Sequence, residues 1–291
     1  MSNLQRFYNK FLALLHTIEP NDNFFNQTRK PKLSDKELIA LSLAAEATSI
    51  DSELSLFKQL PPEVENKIER SVYNKRRRHL SLHTQQIQKR LADTIIPHET
   101  HHLIDSMPLE VCKFSRAKRS RVCTEYAESS PDYGYCAAQK LHYFGYKIHA
   151  VCTQQGVFKA FDISKTSVHD IHYLNDIGDQ FEQCVLIGDK GYLSQTYQAD
   201  LFVTSAIQLQ TPSRSNQLEQ KPFPPIYRKA RKRIETLFSQ LCDQFMIRRN
   251  YAKSFKGFSA RIVAKLTSLT LIQLSNKLLG NNINNLKIAI S

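Results

Sequence analysis

The sequence predicts an α/β protein, a mixed β-sheet flanked by helices and preceded by an all-helical N-terminal domain. Three observations predict it. The hydrophobic period is helical up to about residue 95 and strand-like beyond it. A hairpin is then followed by alternating strand and helix patterns, the order expected of a mixed sheet with helices on its faces. The chain has 291 residues, of which 41% are apolar and 23% charged, enough for more than one globular core. The boundaries drawn on these grounds are 1–95 (helical), 96–279 (mixed sheet with helices) and a tail, 280–291, expected to fray.

The elements follow in order. Ser34 and Glu37 have capping-box spacing, and Leu38, Ile39, Leu41, Leu43 and Ala44 follow on helical spacing. Pro61 and Pro62 break that pattern. A second helix is predicted from Ser71 to Ile95, with Val72, Tyr73, Leu80, Ile87 and Leu91 on its apolar side and Lys75, Arg76, Arg77, Arg78, Lys89 and Arg90 on its polar side. Leu103 to Met107 reads as a short strand stopped by Pro108. Leu141 to Cys152 and Val157 to Ile163 read as a hairpin about Gln154-Gln155-Gly156. A short helix over His169 to Gln180, a buried strand over Cys184 to Ile187 and a strand over Ile207 to Gln210 come next. A basic helix begins near Arg228, striped by Ile234, Leu237, Leu241 and Phe245. An amphipathic helix is predicted over Ala260 to Leu279.

Composition narrows the function. Forty Lys and Arg against 27 Asp and Glu give a net charge of +13, which favours a polyanionic partner, nucleic acid before anionic membrane. No apolar run is long enough for a signal segment or a membrane span, so a cytoplasmic, nucleoid-associated location is expected. The six Cys lack any C-x-x-C or zinc-finger spacing and read as ordinary thiols.

Three acids occupy special places. Asp105 lies in the first strand of the sheet. Asp189 follows a buried strand, between Gly188 and Gly191, and Glu235 lies on the basic helix. If the two strands are neighbours, about 4.8 Å apart, both aspartates reach one cation, and a helix packed over that edge adds Glu235. Such a cluster suits hard divalent ions and phosphoryl transfer. The plain alternative is a strand end, a glycine-flanked turn and an i−4 pair of Glu235 with Arg231.

Basic residues surround these positions: Lys113, Arg116, Lys118, Arg119 and Arg121 after the first strand; Arg228, Lys229, Arg231, Lys232 and Arg233 before Glu235; Arg248, Arg249, Lys253 and Lys256 beyond it. With Lys75, Arg76, Arg77 and Arg78 they are candidate DNA contacts, as are Lys147 and Lys190. The N-terminal helices read equally as a helix-turn-helix reader or as a packing module. Tyr133, Tyr135, Tyr143, Phe144 and Tyr146 read either as sheet core or as stacking partners for unpaired bases. Lys147 or His149 facing the substrate is a further candidate. His169-Asp170 looks like a catalytic pair but reads better as a helix cap.

The blocks Asp105-Ser106-Met107-Pro108, Ile187-Gly188-Asp189-Lys190-Gly191-Tyr192 and Arg231-Lys232-Arg233-Ile234-Glu235-Thr236-Leu237-Phe238 resemble the three acidic blocks of bacterial insertion-sequence DDE transposases. Leu33-Ser34-Asp35, Glu46, Asp51-Ser52-Glu53 and Tyr73-Asn74-Lys75-Arg76-Arg77-Arg78 look like the subgroup numbered nine-eight-two. The resemblance implies a ribonuclease H-like catalytic core with Asp105, Asp189 and Glu235 as catalytic and metal-binding residues. It implies two Mg²⁺ ions, with Mn²⁺ as substitute, and strand cleavage and transfer on double-stranded DNA. The DNA would be the element's terminal inverted repeats and its target, bound by a homodimer. Related enzymes often carry a Lys seven residues after the Glu, where this chain has Cys242; Arg248 and Arg249 are candidate substitutes. Two other readings stay open: a structure-selective DNA nuclease on the same fold, and a catalytically inactive DNA-binding repressor.

Overall fold

The computed structural model describes residues 2–25, 29–137, 139–214 and 222–286. The first five helices are α1 (Asn3–Ile18), α2 (Asp35–Ala47), α3 (Glu53–Phe57), α4 (Arg70–His79) and α5 (Ser81–Ile95). Then come β1 (His101–Cys112), β2 (Asp132–Cys136), β3 (Leu141–Thr153) and β4 (Phe158–Lys165). They are followed by α6 (Leu174–Ile177), β5 (Val185–Ile187), α7 (Gln195–Ser205) and β6 (Gln208–Gln210). Two long helices, α8 (Pro225–Asp243) and α9 (Phe255–Leu278), close the chain.

The described residues of 1–95, 122–125 and 240–291 form one compact unit, and those of 96–121 and 126–239 form a second. Residues 240–279, which the sequence assigns to the sheet domain, therefore pack with the N-terminal helices. The reason is α9. It is not amphipathic: Ile262, Leu266, Leu269, Leu271 and Leu274 are buried, and so are Arg261, Lys265, Gln273 and Asn276 on its other sides. A helix covered all round must lie at the centre of its unit, and α9 packs against α5, α2, α4 and α1. Its buried charges are neutralised internally. Glu46 of α2 accepts hydrogen bonds from Arg261 Nε at 3.0 Å and from Lys265.

Local chemistry explains the other helices of this unit. Ser34 and Glu37 form the expected reciprocal capping box at α2. The helix predicted over 71–95 is instead two, because the chain turns at Leu80, which is buried and caps α4. The segment 280–286 is not frayed. Asn276 Nδ2 donates to the carbonyls of Ile283 and Asn285, and Leu286 is buried. The rest of the tail lies outside the described residues.

The sheet unit has the order β2-β3-β1-β5-β6, with β4 also pairing along β3. β3 is antiparallel to β1, β2 and β4, whereas β5 is parallel to β1 and to β6. The sheet is thus mixed, as predicted. Pro108 does not stop β1, and it pairs opposite Lys147. Among the described residues β5 bonds only to residues 101–103 of β1, and beyond them that side of β1 has no strand partner there, so a missing N–H costs little. One face of the sheet carries Ile104, Val151, Ala160 and Leu186 into a core with Tyr173, Leu174, Ile177 and Leu201. The opposite face carries Asp105.

Candidate active site

The parallel pairing of β1 with β5 positions the two aspartates. Its last partners are Leu103 and Ile187, and Asp105 and Asp189 each lie two residues further on. They therefore stand side by side beyond the carboxyl end of β5, at about the 4.8 Å spacing of neighbouring strands. Asp189 is also fixed by its own turn. Its Oδ1 accepts from the Gly191 N–H at 2.7 Å, capping a short 3₁₀ turn over 190–192. Both flanking glycines sit in close quarters: a Cβ on Gly188 would lie 3.1 Å from Ile104 and Tyr192, and one on Gly191 2.9 Å from the Asp189 carboxylate, so either would need its neighbours to shift. Asp105 Oδ1 accepts from the Ser106 N–H at 2.8 Å.

Glu235 is supplied by α8. Ile234, Leu237 and Phe238 face inward, Phe238 stacks on Phe158 of the sheet, and Glu235 is exposed. Phe158 pairs with Cys152, whose side chain shares the face of Asp105, so α8 lies on that side of the sheet. The electrostatics of Asp105 register the whole set. Burial is the largest influence and pushes its carboxyl up to about 7. The Asp189 and Glu235 charges push the same way, against the Ser106 amide and Arg231. Arg231 Nε is buried without a hydrogen-bond partner among the described residues, and the i−4 ion pair with Glu235 of the plain alternative reading is not formed there.

The neighbouring Asp105 and Asp189 offer hard oxygen donors, the kind that suits a divalent cation. Among the described residues, no three His, Cys, Asp or Glu side chains stand close enough to enclose an ion. Asp105 and Asp189 are the neighbouring pair, and Glu235 on α8 acts on Asp105 only as a nearby like charge that raises its carboxyl.

Behind Asp105, on the other face, lies a polar network that sequence reasoning missed. Ser106 Oγ donates to Asp170 Oδ2 at 2.9 Å, and Lys147 Nζ to Asp170 Oδ1 at 2.5 Å. Lys147, predicted as a DNA contact, is thus held internally and is only 14% exposed. His149 bonds Ser164 Oγ and stacks on Tyr173; burial depresses its imidazole to about 4, so it is neutral there at pH 7. His169 caps its turn, as predicted, by accepting from the Ile171 N–H, while Asp170 is the centre of the network. The alternation of β1 was the available signal, since it turns Ser106 away from Asp105.

The other basic candidates differ in burial and partners, and some exposed ones also have partners, as Arg249 does with Met246. Arg76 pairs with the buried Asp35, and Arg77 is buried against Glu53 and over the Tyr73 ring. Arg78 bonds the Asn74 carbonyl, and Arg231 and Arg248 are partly buried. Arg248 lies beside Cys242; burial pushes that thiol up and the guanidinium opposes it. Exposed are Lys75, Lys118, Arg119, Arg121, Lys190, Arg228, Lys232 and Arg249. On α8, Lys229, Lys232 and Arg233 line an open cleft of about 410 Å³. All six cysteines are free thiols, as expected. Among the described residues no helix is long and apolar enough to cross a membrane.

No curated protein and no solved structure matches the chain significantly. The family model described as "Transposase DDE domain" matches residues 97–271. That span is more than half of the chain and contains Asp105, Asp189 and Glu235. The chain therefore belongs to the transposase DDE domain family.

Proposed function

We propose that this transposase cuts and joins DNA at the terminal inverted repeats of an insertion sequence of the nine-eight-two subgroup. Asp105, Asp189 and Glu235 would hold two Mg²⁺ ions, with Mn²⁺ as substitute. The observation that carries the reading is the parallel β1–β5 pairing, which brings two distant aspartates side by side on the face where α8 presents Glu235. The strand order, with β1 flanked by antiparallel β3 and parallel β5, supports a ribonuclease H-like core. Bound divalent ions supply charge stabilisation at the phosphoryl oxygens and activate the attacking oxygen. The chain's own groups do the rest. Lys190, next to Asp189, and Arg228, Lys229 and Lys232 of α8 offer exposed charges for the DNA backbone beside the carboxylates. Residues 1–95 would bind the DNA ends, with exposed Lys75 as a contact, and the active complex would be a homodimer working in the cytoplasm on the nucleoid.

The test is metal-dependent cleavage and joining of a terminal-repeat duplex by wild type, Asp105→Asn, Asp189→Asn and Glu235→Gln. Each substitution should cost more than about 100-fold, beyond what supporting neighbours of metal ligands cost. Near-wild-type cleavage by Asp189→Asn removes that residue from the mechanism. Cleavage without joined products favours the nuclease, and end binding without any product favours the repressor.

A further inference from the structure

β2 lies at the sheet margin, and sequence reasoning did not predict it. Among the described residues it pairs only with residues 141–145 of β3. Its two faces differ sharply. On one, Thr166 presses on Gly134, where an added Cβ would lie 2.7 Å away, and its hydroxyl donates to the Asp132 carbonyl at 2.6 Å. This closure forces the alternate residues outward, leaving Tyr133 47% and Tyr135 56% exposed. Phe114, 48% exposed, sits 5.9 Å from Tyr133 and from His142, and Tyr135 sits 4.8 Å from His142. Tyr143, Phe144 and Tyr146, by contrast, are buried. The same surface carries a dense positive charge. Lys113, Arg116, Lys118 and Arg119 lie on and beside the 3₁₀ turn that holds Phe114, and all four are exposed.

The pleat relates this surface to the acids. Asp105 pairs with Ala150, and Ala150, Ile148, Tyr146, Phe144 and His142 share one face of β3. Tyr133 pairs with Phe144 and Tyr135 with His142, so both tyrosines lie on the face of Asp105. Six residues along β3 separate Ala150 from Phe144, which at about 3.3 Å each is about 20 Å.

We propose that Phe114, Tyr133, Tyr135 and His142 form a stacking platform for the unpaired bases of single-stranded DNA, with Lys113, Arg116, Lys118 and Arg119 on its phosphates. Aromatic faces accept any base, and neighbouring cations follow the backbone. Cross-strand aromatic pairs also stabilise hairpins. That role alone, however, accounts neither for the outward-facing rings nor for four exposed cations beside them. The inference deepens the reading of DNA as substrate. It is tested in EDTA, without cleavage, so its failure leaves the carboxylate results standing.

The experiment titrates a fluorescent single-stranded oligonucleotide, and a duplex of equal length, with the full chain. Tyr133→Ala and Tyr135→Ala should each weaken single-strand binding about 5- to 150-fold and leave duplex binding within about twofold. Tyr133→Phe and Tyr135→Phe should keep wild-type affinity, because the ring is retained. Removing each of the four cations should flatten the log–log salt slope for the single strand by about 0.7. Unchanged single-strand affinity in both alanine variants overturns the proposal, as does an equal loss on the duplex. A change in self-association with DNA binding intact also overturns it, in favour of a protein contact. If the alanine variants do not fold, photo-crosslinking of an iodouracil oligonucleotide to wild type decides. Adducts on Tyr133 or Tyr135 support the platform, and adducts only elsewhere refute it.

Discussion

Glu46 offers the sharpest test of how the helical unit is held together. It lies on α2, and with Arg261 and Lys265 of α9 it is at most 3% exposed. Its carboxylate accepts from both cations, while Lys265 also donates to the Phe245 carbonyl at 2.6 Å. Glu46→Gln keeps the shape and removes the charge, leaving two buried cations without their counter-ion. Breaking a buried pair in this way costs about 3–5 kcal/mol, a large part of the 5–15 kcal/mol typical of a whole domain. In urea, with slopes of about 1–3 kcal/mol per molar, the helical transition should move down by about 1 M or more. Acidity supplies a second reading. Burial alone would raise the Glu46 carboxyl, but Lys265 and Arg261 outweigh it and the net shift is downward. A depressed carboxyl contributes stability that is present above its unfolded value of about 4.3 and lost as pH falls through its folded value. The wild-type advantage over Glu46→Gln should therefore be full at pH 7 and shrink below about pH 4. A loss under about 1 kcal/mol at pH 7 would refute the reasoning. A control replaces Glu46, Arg261 and Lys265 together by Met. It should recover most of the loss, since apolar replacement of whole buried ion clusters is often neutral or stabilising. If the triple variant is as unstable as the single one, packing rather than charge is responsible.

Two further outcomes concern the acids. Asp170→Asn weakens the bonds that hold Ser106 from behind. Cleavage should fall about 10- to 100-fold with a higher metal requirement, Asp170→Glu should restore part of it, and unchanged metal titration curves would count against a positioning role. The Asp105 carboxyl, raised to about 7, must lose its proton when a cation binds. Mn²⁺ affinity measured by calorimetry on the whole chain should rise by up to about tenfold per pH unit below 7 and level off above it. Without metal, a raised carboxyl has the opposite effect on folding: stability declines as pH rises from its unfolded value of about 3.9 towards 7. A Mn²⁺ profile flat from pH 5.5 to 8.5, or one unchanged in Asp105→Asn, contradicts the assignment.

Several features around the candidate site were legible because they are local. The turn that Asp189 caps with the Gly191 N–H lies within three residues, and the Ser34–Glu37 cap and the α8 stripe are likewise short-range. What was not legible depends on partners distant in the chain. Arg76, Arg77 and Lys147 look like DNA contacts beside other cations, yet each meets a carboxylate 23 to 41 residues away. Glu46 marks the family resemblance in the sequence, while in the structure it is the buried anion between Arg261 and Lys265. The helical period of α9 is real, but period alone does not separate a surface helix from a central one when its polar residues are satisfied inside.

Order along the chain determined which residues are acidic, where glycine permits a turn, and which strand types alternate. Only the tertiary structure decided that β5 pairs beside β1 and in which register, because parallel pairing joins segments about eighty residues apart through contacts that neither segment encodes alone. The same pairing, among the described residues, leaves Pro108 without a strand partner on that side, and the pleat then carries the face of Asp105 out to Tyr133 and Tyr135 at the far margin of the sheet.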